Sequence, residues 1–254
     1  MLSTNVNKVL FIALSNIGDC ILCLPALDAL RQRYPQAKIT LMAGERPREI
    51  FENNPAISRF IIYYKHSKLR EKIRLFKQLK KEKFDLGIAL DGDADRIAAV
   101  APGGVFIHPQ KILGLLALHL NQDRRFSGGL VKTICGSTMM DNIAKFLGIK
   151  LYETPVGFKY ISNLMEAEDI VAGGEEAGGM GVKGYIPERD GTMAGLLLIE
   201  MMVYRNKNML KILNETEKKF GKYYYLRQDF HLDKRVEPKK ENLPRELLGK
   251  KVTE

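Results

Sequence analysis

The segment that decides the fold is Phe84-Asp-Leu-Gly-Ile-Ala-Leu-Asp-Gly-Asp-Ala-Asp-Arg96, in which an apolar run passes directly into three alternating aspartates. Residues 84–90 are mostly apolar and are predicted to form a buried strand that runs straight into Asp91. Ligands of open α/β sheets bind at the carboxyl ends of the strands. The aspartates that follow this strand therefore lie where such a fold is expected to have its site.

Strand and helix patterns alternate on both sides of this segment, which predicts parallel sheets covered by helices. The other strands are predicted at 8–14, 38–42, 60–64, 96–101, 129–135, 150–154 and 169–172. The helices are predicted at 19–33, 47–53, 65–83, 109–120, 138–147, 158–166, 192–204 and 209–220. The fold class is α/β, with two Rossmann-like three-layer α/β/α units, mainly parallel sheets and a short C-terminal extension.

The charge changes along the chain and suggests a division into parts. Residues 1–90 carry 16 Lys and Arg against 8 Asp and Glu, whereas residues 91–205 carry 11 against 14. Residues 206–254 return to a basic balance, 13 against 8, and are polar after residue 220. We predict a first Rossmann unit over 1–90, an α/β/α domain over 91–205, and a helix and linker over 206–254 that form the truncated start of a further domain.

The composition limits the classes of protein to which this chain can belong. With 254 residues, 45% hydrophobic and 28% charged, the chain can bury a core. A net charge of +10 is compatible with nucleic acid, a membrane surface or phosphorylated ligands, and no nucleic-acid motif favours the first. No apolar run is long enough to cross a bilayer and no signal peptide is recognisable.

The three cysteines predict a reducing, cytoplasmic location rather than a disulfide framework. Cys20-Ile-Leu-Cys23 has the spacing of a redox or metal half-site, but it has no second pair and lies in an apolar helix. We interpret both cysteines as small core residues.

Asp91, Asp93 and Asp95 are the predicted metal ligands. Three hard oxygen donors this close repel one another unless a cation neutralises them, and they suit Mg²⁺. A calcium-binding EF-hand is excluded, because its sixth and twelfth positions would be Arg96 and Pro102 instead of Gly and Glu. The competing interpretation is a solvated acidic turn.

The loop Asp91-Gly-Asp-Ala-Asp-Arg96 resembles the metal loop of the alpha-D-phosphohexomutase family, which includes phosphoglucomutase and phosphomannomutase. The likeness covers about residues 85–225 and includes Leu130–Thr133, Thr154–Tyr160, Gly173–Gly179 and Pro187–Gly191. It implies that Asp91, Asp93 and Asp95 bind Mg²⁺ and that a hexose phosphate is the ligand. The substrate-binding residues that it implies are Lys132, Lys159, Glu175 and Arg96.

Two parts of that family have no match in this sequence. One is the phosphoserine nucleophile, which lies in a Thr-Ala-Ser-His-Asn-Pro type motif, and the other is the Arg–Ser–Thr phosphate clamp of the fourth domain. The family transfers a phosphoryl group between the serine and sugar phosphates. We therefore expect this chain to bind metal and sugar phosphate but to be weakly active or inactive alone.

Residues 15–30, Ser-Asn-Ile-Gly-Asp-Cys-Ile-Leu-Cys-Leu-Pro-Ala-Leu-Asp-Ala-Leu, resemble a different family. They are similar to the start of the heptosyltransferases (glycosyltransferase family 9), and the likeness extends over about residues 6–90. It implies that Asp19 is the base that takes a proton from an acceptor hydroxyl in lipopolysaccharide core synthesis. An ordinary strand–helix turn, with Asp19 as a helix cap, is the alternative.

The two resemblances meet within Phe84–Asp91, so the chain looks like a chimera. The leading function is phosphohexomutase-type binding of Mg²⁺ and hexose phosphate. The alternatives are heptosyltransferase-like glycosyl transfer or acceptor binding and a non-catalytic scaffold. The basic amphipathic helix predicted at 65–83, which has nine Lys and Arg, is a candidate for contact with anionic membrane or glycolipid.

Overall fold

The computed structural model describes residues 6–13, 17–225, 246–247 and 250–251. Met1–Tyr223 form one compact unit and Tyr224–Glu254 a second. In the second unit, β11 (Glu246–Leu247) pairs antiparallel with β12 (Lys250–Lys251). Among the described residues, no helix has both the length and the apolar content that a membrane span requires.

The first unit contains a six-stranded sheet in the order β3-β2-β1-β4-β5-β6. Its strands are β1 (Lys8–Ala13), β2 (Lys38–Ala43), β3 (Arg59–Ile62), β4 (Leu86–Leu90), β5 (Ile97–Ala101) and β6 (Val105–Ile107). The pairings among β1 to β4 are parallel, as predicted. The α/β fold class is confirmed.

The last two strands of this sheet run antiparallel to their neighbours, which is compatible with the prediction of mainly parallel sheets. A parallel return requires a crossover of a dozen or more residues. Only the six residues 91–96 connect β4 to β5, so the chain must turn back on itself. The predicted domain boundary after residue 90 lies between these two paired strands, inside one sheet.

Four helices accompany the first four strands: α1 (Ile17–Ile21), α2 (Leu24–Arg33), α3 (Arg48–Phe51) and α4 (Leu69–Glu82). The single helix predicted over 19–33 is divided, because Pro25 lies in the first turn of α2, where its missing N–H costs nothing. Cys20 and Cys23 are completely buried in the core, as predicted.

A second sheet follows in the order β10-β9-β7-β8, with β7 (Gly129–Thr133), β8 (Leu151–Thr154), β9 (Ile170–Gly174) and β10 (Met180–Val182). The pairings of β7 with β8 and β9 are parallel, whereas β10 returns antiparallel. The helices of this half are α5 (Pro109–Leu118), α6 (Met139–Leu147), α7 (Phe158–Ala167), α8 (Gly191–Arg205) and α9 (Met209–Phe220).

Helix α8 joins the two halves, because it belongs to the second half by sequence but covers one face of the first sheet. A Cβ atom on Gly195 would lie 3.0 Å from the side chain of Ile88 in β4. Hydrophobic residues of both sheets and of α8 consequently form one continuous core.

The loop after β4 is held against the second half by backbone contacts. Arg96 pairs with Gly179 in an isolated antiparallel bridge, and the N–H of Gly191 donates to the carbonyl of Ala94 at 3.0 Å. A Cβ atom on Gly191 would lie 2.7 Å from the carbonyl oxygen of Arg96. Only glycine permits this approach without moving a backbone segment.

A charged network fixes α8 against the turn that follows α5. Nδ1 of His119, which is completely buried, lies 2.8 Å from Asp123 Oδ2, and its Nε2 lies 3.3 Å from Glu200 Oε1. Arg124 Nε donates to the same Glu200 oxygen at 2.6 Å. Burial acts to raise the pKa of Glu200, but the hydrogen bonds from His119 and Arg124 outweigh it and lower the pKa to about 2.

We expect Gly191→Ala to destabilise the protein by about 1–3 kcal/mol, since the new methyl group meets backbone atoms that cannot rotate away. Gly44→Ala is the matched control, because no described atom beyond its chain neighbours lies within 4 Å of the added Cβ there, and its effect should stay within about 0.5 kcal/mol. Denaturant unfolding measures both values. Equal losses in the two variants would contradict the close approach at Gly191.

We expect Glu200→Gln to destabilise the protein by about 1–3 kcal/mol at pH 7, because a charged hydrogen-bond acceptor is lost. The carboxylate has a lowered pKa in the folded state, so its contribution is complete above the ordinary value of 4.5 and is lost as the pH falls towards 2. Denaturant titrations at pH 7, 5 and 4 should show that the difference in the free energy of unfolding between wild type and variant begins to narrow at pH 4. A difference that grows on acidification would refute this assignment.

Candidate functional site

The aspartate loop, residues 91–96, folds back tightly at the carboxyl end of β4. Ala94 has a φ of 60°, a left-handed conformation that non-glycine residues seldom adopt. The N–H of Arg96 donates to Asp91 Oδ1 at 3.0 Å, and the Arg96 guanidinium donates to Asp91 Oδ2. The loop therefore fixes the direction of the first carboxylate.

All three predicted metal ligands lie together. One oxygen from each of Asp91, Asp93 and Asp95 is within 4.8 Å of the others, so a single cation can bridge them after small side-chain adjustments. Asp95 Oδ1 is buried and accepts no hydrogen bond among the described residues. A buried oxygen without a donor and two neighbouring carboxylates make a donor set that fits Mg²⁺.

Electrostatics within the loop point the same way. Burial raises the pKa of Asp95, Arg189 opposes this effect, and the charges of Asp91 and Asp93 add to the rise. The positive charge already present thus does not fully compensate the buried carboxylate. A divalent cation held by the three aspartates would offset the charge of the buried Asp95 carboxylate.

Arg189 connects the aspartate loop with the glycine-rich loop after β9. Its Nη2 lies 2.9 Å from Asp95 Oδ2 and its Nη1 lies 3.6 Å from Glu175 Oε2. The guanidinium carbon also lies 5.7 Å from the centre of the Phe158 ring. Sequence reasoning recognised the segment Pro187–Gly191 but did not select this residue, although it is the only basic residue of the segment.

Glu175, a predicted substrate-binding residue, begins the glycine-rich loop and is 9% exposed. Burial raises its pKa, and the charge of Arg189 together with a hydrogen bond from the Gly157 backbone opposes the rise. Gly157 precedes α7, so the loop after β8 and the loop after β9 meet at this carboxylate. Its position at the carboxyl edge of the second sheet is where parallel sheets place ligands.

The other predicted substrate-binding residues are differently placed. Lys132, at the end of β7, is 4% exposed, and its Nζ lies 2.6 Å from Asp141 Oδ2 and 3.3 Å from Glu153 Oε2. Two carboxylates therefore already hold its charge. Lys159 is exposed in the first turn of α7, and Arg96 contacts the aspartate loop as described above.

Asp19, the predicted transferase-like base, cannot be placed in a site. Its backbone lies in α1, directly beyond the carboxyl end of β1, but its side chain is outside the described residues. Its role stays a prediction.

Comparison with known proteins identifies proteins that the second half of the chain resembles. Residues 108–220 match the family model of phosphoglucomutase/phosphomannomutase, alpha/beta/alpha domain III. A phosphoglucosamine mutase of Campylobacter concisus is 33% identical over 142 residues, which are 56% of this chain and 32% of that protein. Phosphoglucomutase-1 of Homo sapiens is 31% identical over 160 residues, 61% of this chain and 28% of that protein. The chain spans about a third of the length of these relatives.

Solved structures are similar over a longer part of the chain. A structure assigned to a phosphomannomutase of Thermus thermophilus superposes with a TM-score of 0.65 at 27% identity and covers 87% of this chain and 47% of its own. An N-acetylphosphoglucosamine mutase of Aspergillus fumigatus, solved with GlcNAc-6P and magnesium, shares the fold with a TM-score of 0.53 at 16% identity, over 83% of this chain and 49% of its own. The relationship to the phosphohexomutases is therefore confirmed for the part of the chain that carries the third-domain match, residues 108–220.

Proposed function

We propose that this chain is the Mg²⁺- and sugar-phosphate-binding part of a phosphohexomutase of the phosphoglucomutase/phosphomannomutase type. The observation that carries the proposal is the chain of contacts from Asp95 through Arg189 to Glu175. These contacts support a single site that includes the candidate metal ligands and the glycine-rich loop. The similarity of the chain to several mutases supports the same function.

Asp91, Asp93 and Asp95 are the residues that would hold Mg²⁺. When bound, the ion neutralises negative charge on a phosphoryl group. Glu175 accepts hydrogen bonds from sugar hydroxyls. Because Glu175 is buried, a ligand hydroxyl that found no partner there would reduce the binding free energy. Arg189 holds the Asp95 and Glu175 carboxylates in position.

The cations near the site have separate roles in this proposal. Lys159 is exposed in the first turn of α7 and provides a charge for phosphate oxygens. Arg96 is also exposed, and its guanidinium, which donates to Asp91, adds positive charge beside the candidate metal ligands. Lys132 acts from beneath the site, where its pairs with Asp141 and Glu153 orient the end of β7. A phosphate could reach its ammonium only by displacing one of these carboxylates.

The chain by itself is proposed to have little or no mutase turnover. Phosphoryl transfer requires a nucleophile, and no segment of this sequence matches the serine motif that the resemblance implies. The binding functions do not need that serine. Binding of Mg²⁺ and of sugar phosphate can therefore be tested on the chain as it is. The location of the protein is proposed to be cytoplasmic.

A second candidate function is glycosyl transfer or acceptor binding in lipopolysaccharide core synthesis, which would make the chain a chimera. It rests on the resemblance of about residues 6–90 to the heptosyltransferases and on the backbone position of Asp19 beyond β1. A non-catalytic scaffold would bind neither class of ligand.

We expect Mg²⁺ to raise the melting temperature of the wild-type chain. At ten times the dissociation constant the stabilisation is about 1.4 kcal/mol, or roughly 3–6 °C for a domain of this size. Asp93→Ala should abolish the shift, since Asp93 is an exposed ligand whose removal leaves the fold intact. Asp28→Ala, an exposed acid far along the chain from the loop, should keep it. An identical Mg²⁺ response in wild type and Asp93→Ala would rule out the site.

We expect Glu175→Gln to weaken the binding of glucose 1-phosphate or mannose 1-phosphate by about 10- to 100-fold in the presence of Mg²⁺, because one charged hydrogen-bond acceptor is lost. Isothermal titration calorimetry measures the affinity, and the Mg²⁺ thermal shift of the variant should persist. Glu166→Gln, an exposed acid on α7, is the matched control. Unchanged affinity in Glu175→Gln would contradict the assignment, and binding of a lipopolysaccharide-core acceptor instead of hexose phosphate would favour the second function.

A further inference from the structure

Helix α4 is attached to the protein by only a narrow part of its surface. None of its 14 residues is buried. Leu75 and Leu79 pack against a small cluster on the outer face of the first sheet, formed by Leu10, Met42 and Ile61. The other side chains of the helix, most of them exposed to solvent, form its outward surface.

An unpartnered apolar row runs along that outward surface. Leu69, Ile73 and Phe76 follow at intervals of four and three residues and are 73%, 46% and 62% exposed. This spacing places them on one face of the helix. Three neighbouring apolar side chains in water, one of them aromatic, indicate a surface that is covered in use.

A basic row lies beside the apolar row. Arg70, Arg74, Lys77 and Lys81 also follow at intervals of four, three and four residues, one position further along the helix. None of the four forms an ion pair among the residues that the structure describes. The acids of the helix are engaged elsewhere, because Glu71 accepts from the Lys68 N–H and Glu82 pairs with Arg59.

An apolar groove of about 320 Å³ opens on the same side of the first sheet. Its wall combines Phe76 and Leu79 of α4 with Phe84, Val100 and Pro102, and Gly87 leaves its floor without a side chain. Lys80 and Lys83 stand at its rim. The groove therefore continues the pattern of the helix, in which apolar surface is bordered by positive charge.

We propose that α4 and this groove form a docking surface for a lipid membrane that contains anionic phospholipids. The exposed rows of α4 have the arrangement of a helix that lies in the membrane interface, with apolar side chains among the acyl chains and cations at the phosphate level. The positive charge complements an anionic headgroup layer, and each basic residue near the membrane surface strengthens this attraction.

The apolar row distinguishes this occupant from nucleic acid. A phosphate backbone is bound by Lys and Arg together with polar groups, and it offers nothing that would cover Leu69 and Ile73. A bilayer satisfies both rows at once. The inference does not depend on the mutase site, whose residues are not part of this surface.

Vesicle flotation of the full chain tests the proposal, with equimolar phosphatidylglycerol and phosphatidylcholine compared with phosphatidylcholine alone. We expect binding to the anionic vesicles at least tenfold stronger than to the neutral ones, and weakening as salt rises. Ile73→Ser/Phe76→Ser and Arg74→Glu/Lys77→Glu should each lower the partition coefficient at least tenfold. All variants should keep the circular dichroism spectrum and the denaturant unfolding midpoint of the wild type, which shows that they fold.

Matched substitutions on other surfaces provide the controls. Phe146→Ser removes an exposed aromatic residue on α6, and Lys211→Glu/Lys218→Glu reverses two charges on α9, so both variants should bind vesicles as wild type does. The proposal is overturned if anionic vesicles are not bound at low salt, or if the apolar pair of variants binds them unchanged. It is also overturned if single-stranded RNA competes fully with the vesicles while the Ile73→Ser/Phe76→Ser variant binds that RNA normally.

Discussion

Backbone contact between the aspartate loop and the second half of the chain is the constraint from which the candidate site follows. The loop has only six residues, and its last residue, Arg96, pairs with Gly179. A Cβ atom on Gly178 would lie 2.8 Å from the Ile97 carbonyl oxygen, and one on Gly191 would meet Arg96 at 2.7 Å. The glycines thus let two loops and a helix start approach closely enough to share polar side chains.

The shared side chain is Arg189, and its surroundings explain why the site is electrostatically unusual. Asp95 and Glu175 are both desolvated, which raises the pKa of each carboxyl, and a single guanidinium lies between them. Such an arrangement carries more buried negative charge than positive charge. The proposed ligands, a divalent cation and the hydroxyl groups of a sugar phosphate, would offset this excess of negative charge.

Most of the secondary structure of this chain could be predicted, because apolar periodicity is a local property. Residues 84–90 have the pattern of a buried strand, and the three aspartates after them each have one oxygen within 4.8 Å of the others, as their spacing predicts. The antiparallel direction of β5 depends on the length of the connection, and recognising it required counting the residues of the loop as well as its chemistry. The strand pattern and the direction of β5 both depend on neighbouring residues in the sequence and not on a distant partner.

Features that depend on partners far away in sequence escaped prediction. Lys132 resembles an available phosphate ligand until Asp141 and Glu153, on other elements, are placed beside it. Arg189 gains its importance only because Asp95 and Glu175, 94 and 14 residues away, converge on it. Tertiary folding creates these pairings, and no local pattern records them.

Helix α8 restricts which sequences can replace the first half of this chain. The missing side chain of Gly195 lets α8 lie on Ile88 and Ile97, so the residue sizes at these positions are coupled across a hundred residues. A foreign strand introduced at 84–90 is accommodated only if it presents a side chain of matching volume to that helix. In a set of homologous chains, positions 88 and 195 should accordingly vary together, and gene exchange at this strand should survive mainly where the donor already carries a compatible residue.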